Sequence, residues 1–326
     1  MAQRPSLPRP LAVVVAALLA TVTACGSSGG TTTSTSTSNG ATSSAASSGV
    51  PHVMVIVMEN QEYADVIASP DAPYVNQLAK QYGLATMSYA RTHPSLPNYI
   101  DLIAGSTMSI SSDCTDCHTD GDTLVDELNR AGVHWMAYMG GMPSVCYQGA
   151  DYPPGTLNGY AKKHNPFLYF DHLRTDPTAC QDDVPLSRLD GDLSSGRATP
   201  FIWVSPSLCD DGHNTDCGLP SSDKWLSSNL PAVLASSWYG SGGIVIVTWD
   251  EGTSNEACCG GGAHGGHIAT LVISRSVKPG ARLGSAVDHA GTLRTIEALY
   301  GVPYLRTSAD PQSGDLLPLL GRPHAP

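Results

Sequence analysis

Two apolar runs of the sequence end in pairs of side chains that could hold a metal ion. One run leads directly into Glu59 and Asn60, and another leads directly into Asp250 and Glu251. If the two runs are parallel neighbours in a sheet, their carboxyl ends meet at one edge, where three carboxylates and an amide would converge. Such oxygen ligands suit a divalent cation. The pattern therefore predicts a metal site formed by these four residues, and the alternative is two solvated strand ends.

The segment between the two acidic pairs contains a serine that could act as a nucleophile. Ser95 lies in the sequence RTHPSLPNY, where Pro97 is typical of the first turn of a helix. We therefore expect Ser95 just before a helix start, where backbone N–H groups and the helix dipole favour an attacking alkoxide. A helix cap is the alternative role for this serine. Its position between the acidic pairs favours the nucleophile.

Several histidines are further candidates. His213 follows an apolar run, and His264 and His267 lie shortly after the second acidic pair. Imidazole groups near a metal can bind it, hold a phosphoryl oxygen or protonate a leaving group. We expect at least one of His264 and His267 to face the site, although each could be a surface residue. His164 and His289 are weaker candidates, for which a buried or capping role is the alternative.

Composition limits the classes of protein to which the chain can belong. Its 326 residues are 41% hydrophobic and 14% charged, with 33 glycines and 24 prolines, which indicates a loop-rich globular protein and excludes a coiled coil. Lys and Arg number 17 against 29 Asp and Glu, a net charge of −12. This excess of acidic residues disfavours nucleic acid as a partner, and any phosphate would have to be held by a local site or a bound cation.

The elements that must position these side chains follow from the apolar pattern. From residue 51 onward, apolar β-rich runs alternate with amphipathic stretches, which predicts a mostly parallel sheet covered by helices in a single domain, residues 51–326. The predicted strands are residues 52–58, 133–139, 201–205, 243–249 and 268–274. The predicted helices are residues 73–82, 97–104, 121–131, 222–236 and 289–300, with a kink at Pro231 and a cap at Asp288.

The first 50 residues indicate export and anchoring. Residues 1–24 combine two arginines, an apolar run and small residues before Cys25, a pattern typical of a lipoprotein signal peptide. The apolar run is shorter than the roughly 20 residues that a transmembrane helix needs. Residues 25–50 would then be a lipidated cysteine and a flexible tether of small residues. We expect a protein anchored by lipid to the outer face of a bacterial membrane, with simple secretion as the alternative.

Cysteine usage supports an oxidising compartment. The eight cysteines other than Cys25 allow up to four disulfides. Short spacings could pair Cys114 with Cys117 and Cys209 with Cys217; for the first pair, followed by a histidine, zinc binding is the alternative. The adjacent Cys258 and Cys259 are expected to pair with other cysteines rather than with each other, because a bond between neighbours would strain the backbone.

The motifs VMEN, HPSLPNY, DGH, WDEG and DH occur in this order and resemble the bacterial and fungal phosphoesterase family. That family contains acid phosphatases and phospholipases C and belongs to the alkaline phosphatase superfamily. The resemblance covers nearly all of residues 51–305, and the chain length is similar to the acid phosphatase branch. It implies a three-layer α/β/α sandwich with a mostly parallel central sheet, in agreement with the apolar pattern.

The resemblance also implies roles for the candidate residues. A divalent metal of unknown identity would be held by the four residues of the acidic pairs, with Ser95 as nucleophile. Glu251 stands where several superfamily members have Asp or His, so the number of metals stays open. His213 and His164 would be catalytic residues at the phosphoryl group. The remaining substrate-binding candidates are Asn98, His93, His264 and His267.

The expected function is metal-dependent hydrolysis of a phosphate monoester through a phosphoserine intermediate. A phospholipase C-type phosphodiesterase acting on membrane phospholipids is the first alternative, which the low aromatic content of 6% disfavours. A catalytically inactive binding lipoprotein is the second. The intact Ser95 disfavours that alternative.

Overall fold

The computed structural model describes residues 49–156, 158–214 and 216–326. The predicted signal peptide, Cys25 and nearly all of the predicted tether lie outside these residues and stay predictions. Among the described residues, no helix is long and apolar enough to cross a lipid bilayer.

Strands and helices alternate along the described chain. The strands are β1 Val53–Met58, β2 Gly83–Tyr89, β3 Trp135–Met139, β4 Asp151–Tyr152, β5 Tyr160–Ala161, β6 Asp183–Pro185, β7 Phe201–Ser205, β8 Ile244–Trp249, β9 His267–Ser274, β10 Arg282–Leu283 and β11 Val287–Asp288. The α-helices are α1 Tyr63–Val66, α2 Pro73–Gln81, α3 Ser95–Ala104, α4 Leu124–Arg130, α5 Asp171–Thr175, α6 Leu189–Ser195, α7 Gly218–Ala235, α8 Ser237–Gly240 and α9 His289–Tyr300. A short 3₁₀ helix, Lys162–His164, also contributes to the site described below.

The central sheet has β1 in its interior. Its strands follow the order β10-β2-β9-β8-β1-β7-β3-β6, and β11 also pairs with β2. β1 pairs in parallel with both β7 and β8, whereas β9 is antiparallel to its neighbours β8 and β2. The predicted mostly parallel sheet is confirmed. The carboxyl ends of β1, β7 and β8 therefore lie at one edge.

Apolar side chains cover both faces of the sheet, which explains why β1 lacks alternation of polar and apolar residues. Val53, Val55 and Val57 of β1 pack in one cluster with residues of α3, α4 and α9. Met54 and Ile56 pack in a second cluster with residues of α2, α6 and α7. These two layers of helices around the sheet are the predicted α/β/α sandwich.

Three elements differ from the sequence prediction. β9 was expected to be a parallel strand, but it runs antiparallel because the loop after β8 stays at the same edge of the sheet and returns the chain directly. α3 begins at Ser95 itself, two residues before the predicted start at Pro97, with Pro94 as the preceding cap residue. The strand β2 was not predicted, because its sequence GLATMSY mixes small, polar and apolar residues.

The cysteine prediction was partly wrong. Cys114 is bonded to Cys117 and Cys209 to Cys217, so the zinc alternative for the first pair does not apply. Cys258 and Cys259 are bonded to each other, contrary to expectation. The remaining two described cysteines, Cys146 and Cys180, form a pair of their own, which leaves no other described cysteine for either neighbour.

A buried carboxyl on α9 predicts a pH dependence of stability. Glu297 accepts hydrogen bonds from the Leu305 N–H (2.9 Å) and the Ser308 hydroxyl (2.6 Å), and burial raises its pKa from the ordinary 4.5 to about 7. The folded protein therefore keeps a proton that the unfolded chain has released. The stabilising contribution is complete below pH 4.5 and is lost as the pH rises through about 7.

We expect the free energy of unfolding of wild type, relative to Glu297→Gln, to fall by roughly 1 to 3 kcal/mol between about pH 5 and about pH 8. Urea denaturation of both proteins across this range measures the difference. Glu256→Gln, which changes an exposed carboxylate, is the matched control. A difference between wild type and Glu297→Gln that does not vary with pH would contradict the assignment.

Candidate active site

The two acidic pairs meet at the carboxyl ends of neighbouring strands. Met58 at the end of β1 pairs with Trp249 at the end of β8, so the next residues, Glu59 and Asp250, lie side by side. The Asn60 N–H donates to Asp250 Oδ1 over 3.0 Å. Asn60 has φ of 56°, a left-handed conformation that asparagine tolerates better than most residues. The strand register thus brings the predicted metal ligands together.

Ser95 lies between these carboxylates, as the first residue of α3. Its hydroxyl donates to Glu59 Oε2 over 3.2 Å, and Glu251 Oε1 lies 3.4 Å from the same oxygen. Ser95 is almost completely buried. The Ser95 hydroxyl therefore lies beside one carboxylate from each of the two strand ends.

Glu59 is the centre of the cluster. Its Oε1 accepts a hydrogen bond from the Tyr99 hydroxyl over 2.7 Å, and its Oε2 accepts one from the Asn60 side-chain amide over 3.1 Å. Tyr99 was not among the predicted site residues. Its spacing of four residues from Ser95 places both on one face of α3, which is the signal that could have identified it.

His164 faces Glu59 from the other side. Its ring stacks on Tyr99, its Nδ1 lies 3.1 Å from Asp211 Oδ2, and its Nε2 lies 3.1 Å from Glu59 Oε1. Burial, followed by the charges of Lys163 and His213, lowers the pKa of His164 well below its usual value, so the ring is neutral. With Nδ1–H donating to Asp211, a lone pair on Nε2 points towards the carboxylate. A proton or a cation must offset that repulsion.

The carboxylates of the cluster resist ionisation when no cation is present. Burial, together with Asp250 and Asp211, raises the pKa of Glu59 well above its ordinary value. Burial raises the pKa of Asp250 to about 6, and burial together with Asp250 raises that of Glu251 to about 7. Crowded buried carboxylates of this kind are typical of a site that binds a positive ion.

The donor atoms of the site fit a divalent metal. Within the described residues, Asp250 Oδ2 and His164 Nε2 are buried and lack a hydrogen-bond partner. Ligand atoms of Glu59, His164 and His213 lie within 4.8 Å of one another. Glu59 belongs both to this group and to the set predicted from the strand ends. Oxygen donors alone favour Mg²⁺, Ca²⁺ or Mn²⁺, whereas histidine donors favour Zn²⁺.

Two of the predicted substrate-binding residues use their polar atoms to hold the protein itself. His93 Nδ1 lies 2.5 Å from Glu251 Oε2, and its Nε2 lies 2.9 Å from the Ser254 carbonyl oxygen. The Asn98 amide accepts from the Thr92 N–H (3.0 Å) and donates to the carbonyl oxygens of Thr92 (2.8 Å) and Pro94 (3.0 Å). These contacts orient Glu251 and the loop before Ser95, and they leave neither side chain a free polar group for substrate.

The structure does not bring His264 and His267 into the Ser95 cluster. The His267 ring stacks between Tyr63 and Tyr89, and its Nε2 lies 3.0 Å from the Thr86 carbonyl oxygen. His264 is exposed and lies 3.4 Å from the Thr92 hydroxyl. The antiparallel direction of β9 keeps His267 at the edge where β8 ends, but this residue pairs with Tyr89 of β2, on the far side of β9 from β8. Its contacts with Tyr63, Tyr89 and Thr86 therefore hold the ring away from the Ser95 cluster.

His289, one of the two weaker candidates, contacts the loop that follows β2 and the end of β8. Its Nε2–H donates to the Trp249 carbonyl over 3.0 Å, and its Nδ1 lies 3.4 Å from the Arg91 N–H. Burial lowers its pKa to about 3, so the ring is neutral and can make both contacts. His289 thus has the buried role that was its alternative, and it ties the loop before Ser95 to the loop that carries Asp250.

The carboxylate cluster predicts that metal binding stabilises the fold. A cation that binds the native state offsets carboxylate repulsion and raises the melting temperature. We expect Asp250→Asn to weaken the affinity for the effective metal by at least about tenfold, because it replaces a charged ligand. Titrating metal-free protein with Mg²⁺, Ca²⁺, Mn²⁺ and Zn²⁺, followed by thermal unfolding and calorimetry, measures both effects. Glu256→Gln should bind metal like wild type; equal affinity in Asp250→Asn would refute the ligand assignment.

The sequence of the chain matches the model of a known protein family. The model of the Phosphoesterase family matches residues 66–303, a range that includes Ser95, His164, His213 and Asp250 and begins after Glu59. This match covers most of the residues that the structure describes.

Relatives and solved structures agree with that match. The chain is 29% identical over 260 residues to a phosphatidylinositol-3-phosphatase of Mycobacterium tuberculosis, covering 77% of each chain. It is 27% identical over 258 residues to an acid phosphatase of Aspergillus niger, covering 77% of this chain and 58% of that relative. A crystal structure of an alkaline phosphatase superfamily protein from Vibrio parahaemolyticus has the same fold, with a TM-score of 0.52 and 16% identity over 81% of this chain and 71% of that one. The chain belongs to the Phosphoesterase family.

Proposed function

We propose that this chain, a phosphoric ester hydrolase, is a metal-dependent phosphomonoesterase in which Ser95 attacks phosphorus. The observation that carries the proposal is the position of the Ser95 hydroxyl, buried at the start of α3 and in contact with carboxylates from two adjacent strand ends. A serine in this position is both oriented and surrounded by groups that can accept its proton.

The residues of the site would have the following roles. The Ser95 oxygen bonds to phosphorus as the bond to the ester alcohol breaks, and water later hydrolyses the phosphoserine. A divalent cation at Glu59, Asn60, Asp250 and Glu251 would lower the pKa of the Ser95 hydroxyl and neutralise phosphate charge. The Ser95 proton has Glu59 Oε2 within reach at 3.2 Å. His164 and His213 line the same space, where the ring nitrogens of His164 lie beside Glu59 and Asp211 and those of His213 beside Lys163 and Asn214.

Two relatives support the choice of a monoester. One is named a phosphatidylinositol-3-phosphatase and the other an acid phosphatase. The chain spans 77% of the first relative and little more than half of the second, so their substrates are carried over only as a proposal. A phosphodiesterase of the phospholipase C type remains an outcome of the test below.

We also propose that the enzyme acts outside the cytoplasm, anchored by a lipid on Cys25. The signal-like sequence of residues 1–24 supports export. The pairing of all eight cysteines from Cys114 to Cys259 supports an oxidising compartment.

The nucleophile is tested by Ser95→Ala. Removing the hydroxyl removes the attacking atom, so we expect turnover of a chromogenic phosphate monoester to fall by at least about 10³-fold. Circular dichroism and thermal unfolding check that the variant is folded. Ser228→Ala, which changes an exposed serine of α7, should retain full activity. A folded Ser95→Ala protein with wild-type activity would exclude Ser95 as nucleophile.

The class of substrate is tested with matched esters. The soluble domain, residues 50–326, is incubated with p-nitrophenyl phosphate and with p-nitrophenylphosphorylcholine, each with and without EDTA. We expect monoester turnover that EDTA abolishes, since the carboxylates need a cation to accept a phosphate dianion. Turnover of the diester alone would support the phospholipase C alternative. No turnover of either ester with metal bound would favour the inactive binding protein.

A further inference from the structure

A lysine that the sequence analysis did not single out lies at the edge of the candidate site. The Lys163 ammonium is 2.7 Å from Asp113 Oδ2 and 2.9 Å from His213 Nε2, and its side chain is 19% exposed. A ring nitrogen of His213 lies within 4.8 Å of carboxylate and imidazole atoms of Glu59 and His164. The ammonium is therefore next to the space where the phosphoryl group would bind, and solvent still reaches it.

Asp113, which pairs with Lys163, also contacts the helix that begins with Ser95. Asp113 Oδ1 accepts a hydrogen bond from the Leu96 N–H over 3.0 Å, and Leu96 directly follows Ser95 in α3. The disulfide between Cys114 and Cys117 closes the loop that begins next to Asp113. One carboxylate thus holds both the start of α3 and the ammonium, which fixes their relative position.

The hydrogen bonds of Lys163 leave one donor for a ligand. An ammonium has three N–H donors and no acceptor, so His213 Nε2 must be the acceptor in their contact. The His213 proton is then on Nδ1, which lies 3.1 Å from Asn214 Oδ1. Within the described residues, Lys163 Nζ has hydrogen bonds only to Asp113 and His213. Of this pair, the lysine rather than the histidine therefore has an N–H available to a phosphate oxygen.

Electrostatics keeps this ammonium charged and close to the cluster. Burial alone would lower the pKa of Lys163, but Glu59, Asp113 and Asp250 together raise it above its ordinary value. The charge of Lys163 in turn acts to lower the pKa of Glu59 and of Asp211.

We propose that Lys163 binds a phosphate oxygen of the substrate and makes the site select dianionic monoesters over monoanionic diesters. This inference rests on the proposed function. A phosphate monoester carries a charge of about −1.5 to −2 at neutral pH, whereas a diester carries a single negative charge. A metal held by Glu59 and its neighbours would compensate one charge of the phosphoryl group. The ammonium compensates the second charge, which only the monoester has.

The catalytic test compares esters with the same leaving group. We would measure kcat/KM for p-nitrophenyl phosphate and for methyl p-nitrophenyl phosphate, at about pH 7.5, with wild type, Lys163→Met and Lys163→Gln. Loss of a charged hydrogen bond should lower kcat/KM for the monoester by about 10- to 100-fold and that for the diester by less than about threefold. Lys163→Gln keeps an N–H donor towards Asp113 and is the milder variant if Lys163→Met does not fold.

The neighbouring Lys162 provides the control. Its Nζ donates to the Thr115 carbonyl over 2.9 Å and lies over the Tyr169 ring. Lys162→Met removes a lysine from the same short helix without removing the ammonium beside His213, so its ratio of monoester to diester activity should equal that of wild type. An equal loss on both esters in the Lys163 variants, or no loss on either, would refute selection by Lys163.

Binding of inorganic phosphate tests the contact with Lys163 independently of ester hydrolysis. Calorimetry with the metal-loaded protein should show phosphate affinity about 10- to 100-fold weaker in Lys163→Gln than in wild type. That result, in a protein that hydrolyses no ester, would support the anion contact while refuting the proposed function. Equal affinity in both proteins, or no binding to wild type, would overturn the role of Lys163.

Discussion

The candidate site depends on carboxylates that the fold buries together at the ends of β1, β7 and β8. Glu59 and Asp250 lie at adjacent strand ends and Asp211 in the loop after β7, and none of the three has exposed surface. Carboxylates without solvent are unfavourable unless donors or cations surround them. The Tyr99 hydroxyl and the Asn60 backbone supply donors, and the remaining unpaired oxygen atoms suit a metal. A cation bound among these carboxylates would therefore stabilise the fold.

The surrounding contacts make the cluster rigid. Asn98 holds the loop that precedes Ser95, His93 holds Glu251, and His289 connects the two loops. Each of these side chains uses all or most of its polar atoms on the protein itself. Such support is what a phosphoryl-transfer site needs, because a nucleophile accelerates a reaction only if it is held in the attacking geometry. His93 and Asn98, which were predicted to bind substrate, therefore position Glu251 and the loop before Ser95.

Site residues could be placed from the sequence only where the interactions that position them are close together in the chain or follow from strand ends. Glu59 and Asp250 could be placed together because each directly follows a buried strand, and parallel strands share their carboxyl edge. His264 and His267 could not be placed, because the residues that they contact, Thr92, Tyr63 and Tyr89, lie far away in the chain. Lys163 was missed for a related reason: its partners Asp113 and His213 are each 50 residues away.

Local patterns in the sequence were enough to predict the alternation of buried strands and helices, the strand-end acidic pairs, the serine between them and the family. These features are local, since they follow from the periodicity of apolar residues and from short motifs. Long-range packing establishes which histidines face Glu59, that Tyr99 and Asp211 complete the cluster, and that an ammonium lies beside His213. Those facts depend on strand order and side-chain direction, and both are set by packing between segments far apart in the chain.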